Sequence, residues 1–208
     1  AKMKPLNEES RKVKAALKKT PDDADLKARA ATLKASLDAL EAELKQSATY
    51  ADPETHSVNG FSTPTPTTDG TDIYATFGNG VVSCHDAEGN RKWARFIEKP
   101  THGWGHSASP LLVDGRLIVH ILKVTALDPS NGATVWQTES SPAWGSEVQA
   151  RIGDVAVVIT PGGDFIRASD GRKLASKVSK LTYCAPVVSD GVVYFIEHGG
   201  KAVRLPAT

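Results

Sequence analysis

The sequence has little of several residue types that mark particular classes of protein. Only two of its 208 residues are cysteines, and they lie too far apart in the chain to suggest a zinc-binding pair. Because isolated cysteines usually pack as small hydrophobic residues, we expect Cys84 and Cys184 to be buried free thiols. The 25 basic and 24 acidic side chains nearly cancel, which argues against a strong positive field for nucleic acid or anionic membranes. No apolar run approaches the ~20 residues of a transmembrane helix.

Glycine and aromatic residues are absent from the first 48 residues, which are dense in Ala, Lys, Leu, Glu and Asp. This composition is typical of helices. The stretch Thr20-Pro21-Asp22-Asp23 predicts a helix start, with Thr20 as the cap and Pro21 in the first helical position. Apolar residues then recur at steps of four and three, which indicates a helix lying along another helix: Leu26, Ala30, Leu33, Leu37, Leu40 and Leu44.

A partner for that helix lies just before it in the chain. Leu6, Val13, Ala16 and Leu17 give a weaker apolar stripe around residues 7–19, so residues 1–49 are predicted to form a coiled-coil-like helical hairpin. Its interspersed charges are typical of a solvated outer face. The alternative is a docking arm whose leucine seam also accepts a partner helix.

Short β-branched runs separated by tight turns fill the chain from residue 50 onward, which predicts a sheet domain. The turn glycines Gly70, Gly115, Gly153 and Gly191 recur about every 40 residues, a period that holds four short strands and is typical of a propeller blade.

A second motif recurs with the same period. Residues 126–136 read ALDPSNGATVW, with Asp128, Gly132 and Trp136 at steps of four. The motif returns, one residue shorter, as Asp86, Gly89 and Trp93, and a third copy keeps Gly171 but has Leu174 or Ala175 in place of the tryptophan. We expect the aspartate to bond the turn backbone, the glycine to adopt positive φ, and the indole to pack on the adjoining blade with its N–H on a backbone carbonyl.

This combined pattern resembles the tryptophan-docking repeat of quinoprotein-type, PQQ-like (BamB-like) β-propellers, over residues 55–208. The sequence around residues 55–70 and 102–115 is similar to PQQ-like repeat proteins of planctomycete-type bacteria. The resemblance implies a mainly β protein with a partial propeller of about four four-stranded antiparallel blades over residues 50–208, preceded by the hairpin as an insertion or docking arm. It also implies a periplasmic or otherwise extracytoplasmic location.

Four blades do not close the ring of such a propeller, so we expect the remaining blades to act as a partner. Three sources are open: the same, longer chain, which we favour; a second copy; or another subunit.

Two functions are compatible with the resemblance. The first is a non-catalytic module that binds a protein or ligand, or acts as a scaffold, without catalytic residues, cofactor or metal. The alternative is part of a PQQ-dependent oxidoreductase whose cofactor ligands lie outside this chain. The first is favoured because the vicinal cysteine pair of the enzymes is missing and no acidic cluster suggests calcium.

The connections before the innermost strands converge on the central funnel of a propeller, so they hold the candidate binding residues. Trp104 and Trp144 occupy equivalent positions in two of them. Three roles remain open for this set: a metal site based on His102 and His106, a ligand or peptide site, or packing between blades. The candidates are His56, His102, Trp104, His106, Trp144, Glu147 and Tyr183. The other histidines, His85, His120 and His198, are interpreted as structural.

Overall fold

The computed structural model describes residues 3–47, 63–101 and 105–207. The chain divides into two compact units, residues 1–51 and residues 52–208. Neither helix in the described ranges is long and apolar enough to cross a bilayer.

The first unit is a helical hairpin, as the sequence predicts. Helix α1 spans Met3–Leu17 and helix α2 spans Ala24–Ser47. The predicted cap was wrong: α2 begins four residues after Thr20, and the Asp23 carboxylate accepts the backbone N–H of Leu26 at 2.9 Å. The Thr20 hydroxyl instead donates to the carbonyl of Ala16 at the end of α1. Asp23 takes the position because its carboxylate satisfies an N–H group that has no partner inside the helix.

The predicted seam holds α2 against α1 over most of its length. Leu33 is 4% exposed, and Leu26, Ala30, Leu37 and Leu40 are half-buried. The guanidinium of Arg29 pairs with the carboxylate of Glu9 across the hairpin. Leu44 is 54% exposed, so the buried part of the seam ends before it.

We expect Leu33→Ala to destabilise the hairpin by about 2–4 kcal/mol, because it removes the one fully buried leucine of the seam. Leu44→Ala is the matched control and should change stability by less than about 0.5 kcal/mol. Thermal unfolding followed by the helical circular dichroism signal measures both. Equal effects of the two variants would contradict the assignment of Leu33 as the centre of the seam.

The second unit consists of four antiparallel sheets, each an up-and-down meander in sequence order. The first three have four strands and the last has three. Their bounds are β1 Thr67–Thr68, β2 Ile73–Thr76, β3 Val81–His85 and β4 Arg91–Phe96 in blade 1; β5 Leu111–Val113, β6 Arg116–His120, β7 Lys123–Leu127 and β8 Thr134–Glu139 in blade 2; β9 Val148–Ile152, β10 Val155–Ile159, β11 Phe165–Arg167 and β12 Lys173–Ala175 in blade 3; β13 Val187–Ser189, β14 Val192–Ile196 and β15 Gly200–Arg204 in blade 4. The predicted fold class, a partial β-propeller with a helical hairpin, is confirmed.

Tight turns set the register of the two inner strands in each blade. In blade 2, Asp114 and Gly115 have φ values of 50° and 70°, and Val113 pairs with Arg116 across them. Asp190 and Gly191 repeat this in blade 4 with φ values of 50° and 70°. Positive φ at both turn residues matches the twist of a hairpin, and aspartate and glycine tolerate it.

The hydrophobic core lies between neighbouring blades. Strand β6 shows why: Leu117 and Val119 pack on blade 1, whereas Ile118, between them in sequence, packs on blade 3. All three side chains are at most 1% exposed. Because successive residues of a strand point to opposite faces, a continuous apolar run fills both junctions.

Candidate functional site

The first blade junction is built on Trp93, in the outermost strand of blade 1. Its indole N–H donates to the carbonyl of Pro129 in blade 2 at 2.8 Å. The ring covers Gly132, where an added Cβ would lie 2.6 Å from a ring carbon. Gly132 has a φ of 72°, so both its backbone conformation and the close approach of the ring require glycine.

Trp136 repeats this arrangement at the second junction. Its N–H donates to the carbonyl of Ala168 in blade 3 at 2.9 Å, and a Cβ on Gly171 would lie 2.6 Å from the ring. The hydroxyl of Thr138 also donates to the carbonyl of Gly171. Two junctions thus use the same pair of a tryptophan on one blade and a glycine turn on the next.

The aspartate of each motif stays within its own turn. Asp128 accepts the backbone N–H and the hydroxyl of Ser130 at 2.8 and 2.7 Å. Asp86 accepts the side-chain and backbone N–H groups of Asn90. These hydrogen bonds lower the pKa of both carboxyl groups, through the Ser130 side chain first for Asp128 and the Asn90 side chain first for Asp86.

The third junction has no indole at the corresponding position. Ala175, paired with Phe165, packs on the core between blades 3 and 4, whereas Leu174 is 43% exposed. Of the two alternatives from the sequence, Ala175 therefore occupies the place of the tryptophan. The rings of Phe165 and Phe195, 6.4 Å apart, supply aromatic area there instead.

The connections that precede the innermost strands of blades 2, 3 and 4 lie side by side. The hydroxyl of Ser107 donates to the carbonyl of Trp144 at 2.8 Å. The backbone N–H of Trp144 donates to the carbonyl of Thr182 at 2.9 Å. These bonds place two aromatic residues next to each other, and we call Trp144 and Tyr183 the aromatic face.

The two rings of the aromatic face are stacked, with centroids 5.4 Å apart and an angle of 28° between their planes. Tyr183 is 56% exposed, and Trp144 is half-buried. The neighbouring Cys184 is a free, exposed thiol, so the prediction that both cysteines are buried was wrong for it. It lies in a surface connection, whereas Cys84 is buried in strand β3.

A carboxylate fixes the backbone beside the aromatic face. Glu197 accepts the backbone N–H groups of Thr182 and Tyr183, each at 2.8 Å, and these two bonds lower the pKa of its carboxyl group. A groove of about 460 Å³ runs along the same connection, lined in part by Thr182, Glu197, His198 and Lys201. The aromatic face, with Tyr183 exposed and Trp144 half-buried, therefore lies beside a groove that is lined in part by charged side chains.

Glu147 is not part of the aromatic face, because it is buried between two blades. Its carboxylate is 2.6 Å from Nδ1 of His120, and both side chains are at most 1% exposed. His120 ends strand β6 of blade 2 and Glu147 precedes strand β9 of blade 3, so the pair joins two blades. Burial opposes the imidazolium form of His120, but the Glu147 carboxylate and hydrogen bonding outweigh it and raise the His120 pKa.

The remaining predicted candidates are divided between the described and undescribed residues. His56, His102 and Trp104 lie outside the described ranges. His106 is 3% exposed and therefore does not line an open surface. Within the described residues, no group of three or more His, Cys, Asp or Glu side chains is arranged to hold a metal ion.

Comparison with known proteins matches part of this unit to one family model. The family model described as "Outer membrane protein assembly factor BamB" matches residues 120–208. BamB from Moraxella catarrhalis superposes with a TM-score of 0.50 at 18% identity, over 64% of this chain and 42% of BamB. Residues 120–208 thus resemble PQQ-like, BamB-like repeat proteins, and the blades share the fold of BamB.

Other solved structures are similar to parts of this chain. The computationally designed Ika4 protein gives a TM-score of 0.51 at 13% identity, over 74% of this chain and 96% of Ika4. Quinohemoprotein alcohol dehydrogenase from Comamonas testosteroni gives a TM-score of 0.36 at 16% identity, over 54% of this chain and 21% of that one. No curated protein matches the sequence. This chain spans less than half the length of the BamB that it resembles.

Proposed function

We propose that this chain is a non-catalytic β-propeller module that binds a protein partner through the aromatic face. The observation that carries the proposal is the stacking of Trp144 on the exposed ring of Tyr183. A stacked aromatic pair with one exposed ring is typical of the residues that dominate protein interfaces, since it offers a large contact area at little entropic cost.

The surroundings of the aromatic face support a protein or peptide as the ligand. The adjoining groove has Glu197 and Lys201 in its wall, and two neighbouring connections are hydrogen-bonded to the one that carries Trp144. A face that needs little rearrangement on binding loses little free energy to ordering. The family description, an outer membrane assembly factor, supports a role in assembly and an extracytoplasmic location.

The aromatic face is tested with the double variant Trp144→Ala/Tyr183→Ala. A partner is first isolated with the tagged wild-type chain, then purified, and its affinity is measured by calorimetry. We expect the double variant to bind at least about 30-fold more weakly, since aromatic hot spots typically cost about 2 kcal/mol or more when truncated. Leu174→Ala, an exposed residue on the outer strand of blade 3, should leave the affinity unchanged. A partner that binds both variants equally would contradict the proposal.

A second measurement distinguishes the oxidoreductase alternative from the proposed non-catalytic module. PQQ and calcium are added to the wild-type chain, and the quinone absorbance and the reduction of an artificial electron acceptor are recorded. A non-catalytic module gives neither signal. Dye reduction that depends on both additions would instead assign the chain to a quinoprotein enzyme.

A further inference from the structure

The turn between strands β14 and β15 of blade 4 contains two glycines that the fold itself does not require. A Cβ added to Gly199 or Gly200 would meet nothing within 4 Å, and neither residue has the positive φ of the turn glycines. Gly132, in contrast, has a φ of 72° and lies beneath an indole ring. Because glycine costs conformational entropy on folding, a pair without such a role is typical of a place where a ligand approaches the backbone closely.

The two glycines line the groove beside the aromatic face, together with three side chains that can carry positive charge. These are Lys180, His198 and Lys201, and all three are exposed. Within the described ranges, neither lysine forms an ion pair. The Lys201 ammonium donates one hydrogen bond, to the carbonyl of Val178, which leaves two of its three N–H groups for a ligand.

Glu197 is the one carboxylate among the described residues that line the groove, and its charge is directed into the wall. One of its oxygens accepts the backbone N–H of Thr182 and the other accepts that of Tyr183. These donors compensate the negative charge of Glu197 within the protein. The groove therefore presents an excess of positive charge to a molecule that enters it.

We infer that the partner segment that binds the aromatic face is acidic, an inference that rests on the proposed function. An apolar residue of the segment packs on Tyr183, and its Asp or Glu carboxylates enter the groove and pair with Lys180 and Lys201. Thr182 of the groove wall directly precedes Tyr183, and an extended chain advances about 3.3–3.6 Å per residue. The acidic residues therefore lie within a few positions of the apolar one, and the segment's backbone passes over Gly199 and Gly200.

Two fluorescein-labelled peptides that differ only in charge test the inference. Both contain one tryptophan, which is followed by a run of glutamates in the first peptide and by lysines at the same positions in the second. Fluorescence anisotropy measures the affinity of the full chain for each peptide. We expect the acidic peptide to bind at least about tenfold more tightly, since the groove attracts its charge and repels that of the other. Equal affinities, or no binding of either peptide, would overturn the inference.

Gly200→Val distinguishes a ligand groove from an ordinary turn. Valine suits a strand position with open space around it, so the midpoint of urea unfolding should stay the same or rise. Its side chain obstructs the groove, however, and should weaken binding of the acidic peptide about tenfold or more. A Gly200→Val variant that folds and binds the acidic peptide as tightly as the wild-type chain would show that no ligand passes over the glycines.

The charge of the groove is tested separately, with a variant that leaves the backbone unchanged. Lys180→Glu should weaken binding of the acidic peptide about tenfold, because an attraction becomes a repulsion. Lys99→Glu is the matched control, since it makes the same charge change at an exposed lysine after the last strand of blade 1, and it should alter the affinity less than about twofold. Equal effects of the two variants would contradict the inference.

The acidic peptide also separates this inference from the proposed function. If Trp144→Ala/Tyr183→Ala lowers the affinity whereas Gly200→Val and Lys180→Glu do not, the aromatic face binds without the groove, and only the inference is overturned. If the two groove variants lower the affinity whereas the aromatic double variant does not, the groove binds acidic ligands by itself. That result would contradict the proposed function and support the assignment of the groove.

Discussion

Trp93→Ala is expected to destabilise the propeller unit by about 3–5 kcal/mol, the range for removing a buried aromatic side chain. The indole is 7% exposed, donates to Pro129 and contacts Tyr74 at a centroid distance of 6.2 Å. Its loss opens the junction between blades 1 and 2 and leaves the carbonyl of the half-buried Pro129 without its donor. Chemical denaturation followed by the strand signal in circular dichroism measures the cost.

Two further variants separate the parts of this junction. Trp93→Phe keeps most of the apolar area but loses the N–H. It should therefore destabilise the propeller unit by about 1–2 kcal/mol relative to the wild-type chain. Gly132→Ala should cost more than Gly115→Ala, since both glycines have positive φ but only Gly132 lies beneath the ring. If Trp93→Ala cost less than about 1 kcal/mol, the indole would not be the residue that holds the blades together.

The sequence predicts the blades because the same local chemistry repeats. A glycine with positive φ, a carboxylate that bonds its own turn and an indole on the following strand are all fixed within about ten residues, so their spacing is visible without a structure. The acceptor of the indole is also foreseeable, since blades 1, 2 and 3 carry the same glycine turn.

Features that depend on the contact between blades are not visible in this way. His120 pairs with Glu147 because the end of β6 in blade 2 lies beside the start of β9 in blade 3. Nothing in the local sequence around either residue indicates this contact. For this reason the sequence predicts Glu147 as a residue of the funnel and His120 only as a structural histidine. The choice between Leu174 and Ala175 depends likewise on a register shift in strand pairing at Phe165 and Ile166.

The cap of α2 shows competition between two good local signals. Thr20-Pro21 and Asp23 both precede a helical run, and the sequence alone favours the hydroxyl followed by proline. In the structure the chain uses Thr20 to close the end of α1, which leaves Asp23 to begin α2. The short connection between two adjacent helices contains few residues that can cap a helix. A side chain that bonds the end of the first helix is then not free to cap the start of the second.

Removing either partner of the buried His120–Glu147 pair, which joins blades 2 and 3, should also lower the stability of the propeller unit strongly. His120→Gln or Glu147→Gln is expected to cost about 3–5 kcal/mol, because the remaining group is left buried without its charged partner. Glu139→Gln is the matched control. Glu139 pairs with Lys123, which lies in the strand next to that of His120, but the Glu139 side chain is 79% exposed. Since exposed pairs contribute about 0–1 kcal/mol, this variant should have little effect on stability. Urea unfolding at neutral pH compares the three variants.

The same pair predicts how stability depends on pH. The groups around the imidazole are the Glu147 carboxylate, the Ser140 carbonyl and the Glu98 carboxylate, and together they raise the His120 pKa despite burial. A histidine with a raised pKa in the folded state contributes its full stabilisation below its unfolded pKa, and this is lost as pH rises through the folded value. The wild-type chain should therefore lose stability relative to His120→Gln as pH increases from about 6 into the alkaline range. A difference between the two that is constant with pH would show that the pair stays in one protonation state, and the junction would then depend on the hydrogen bond alone.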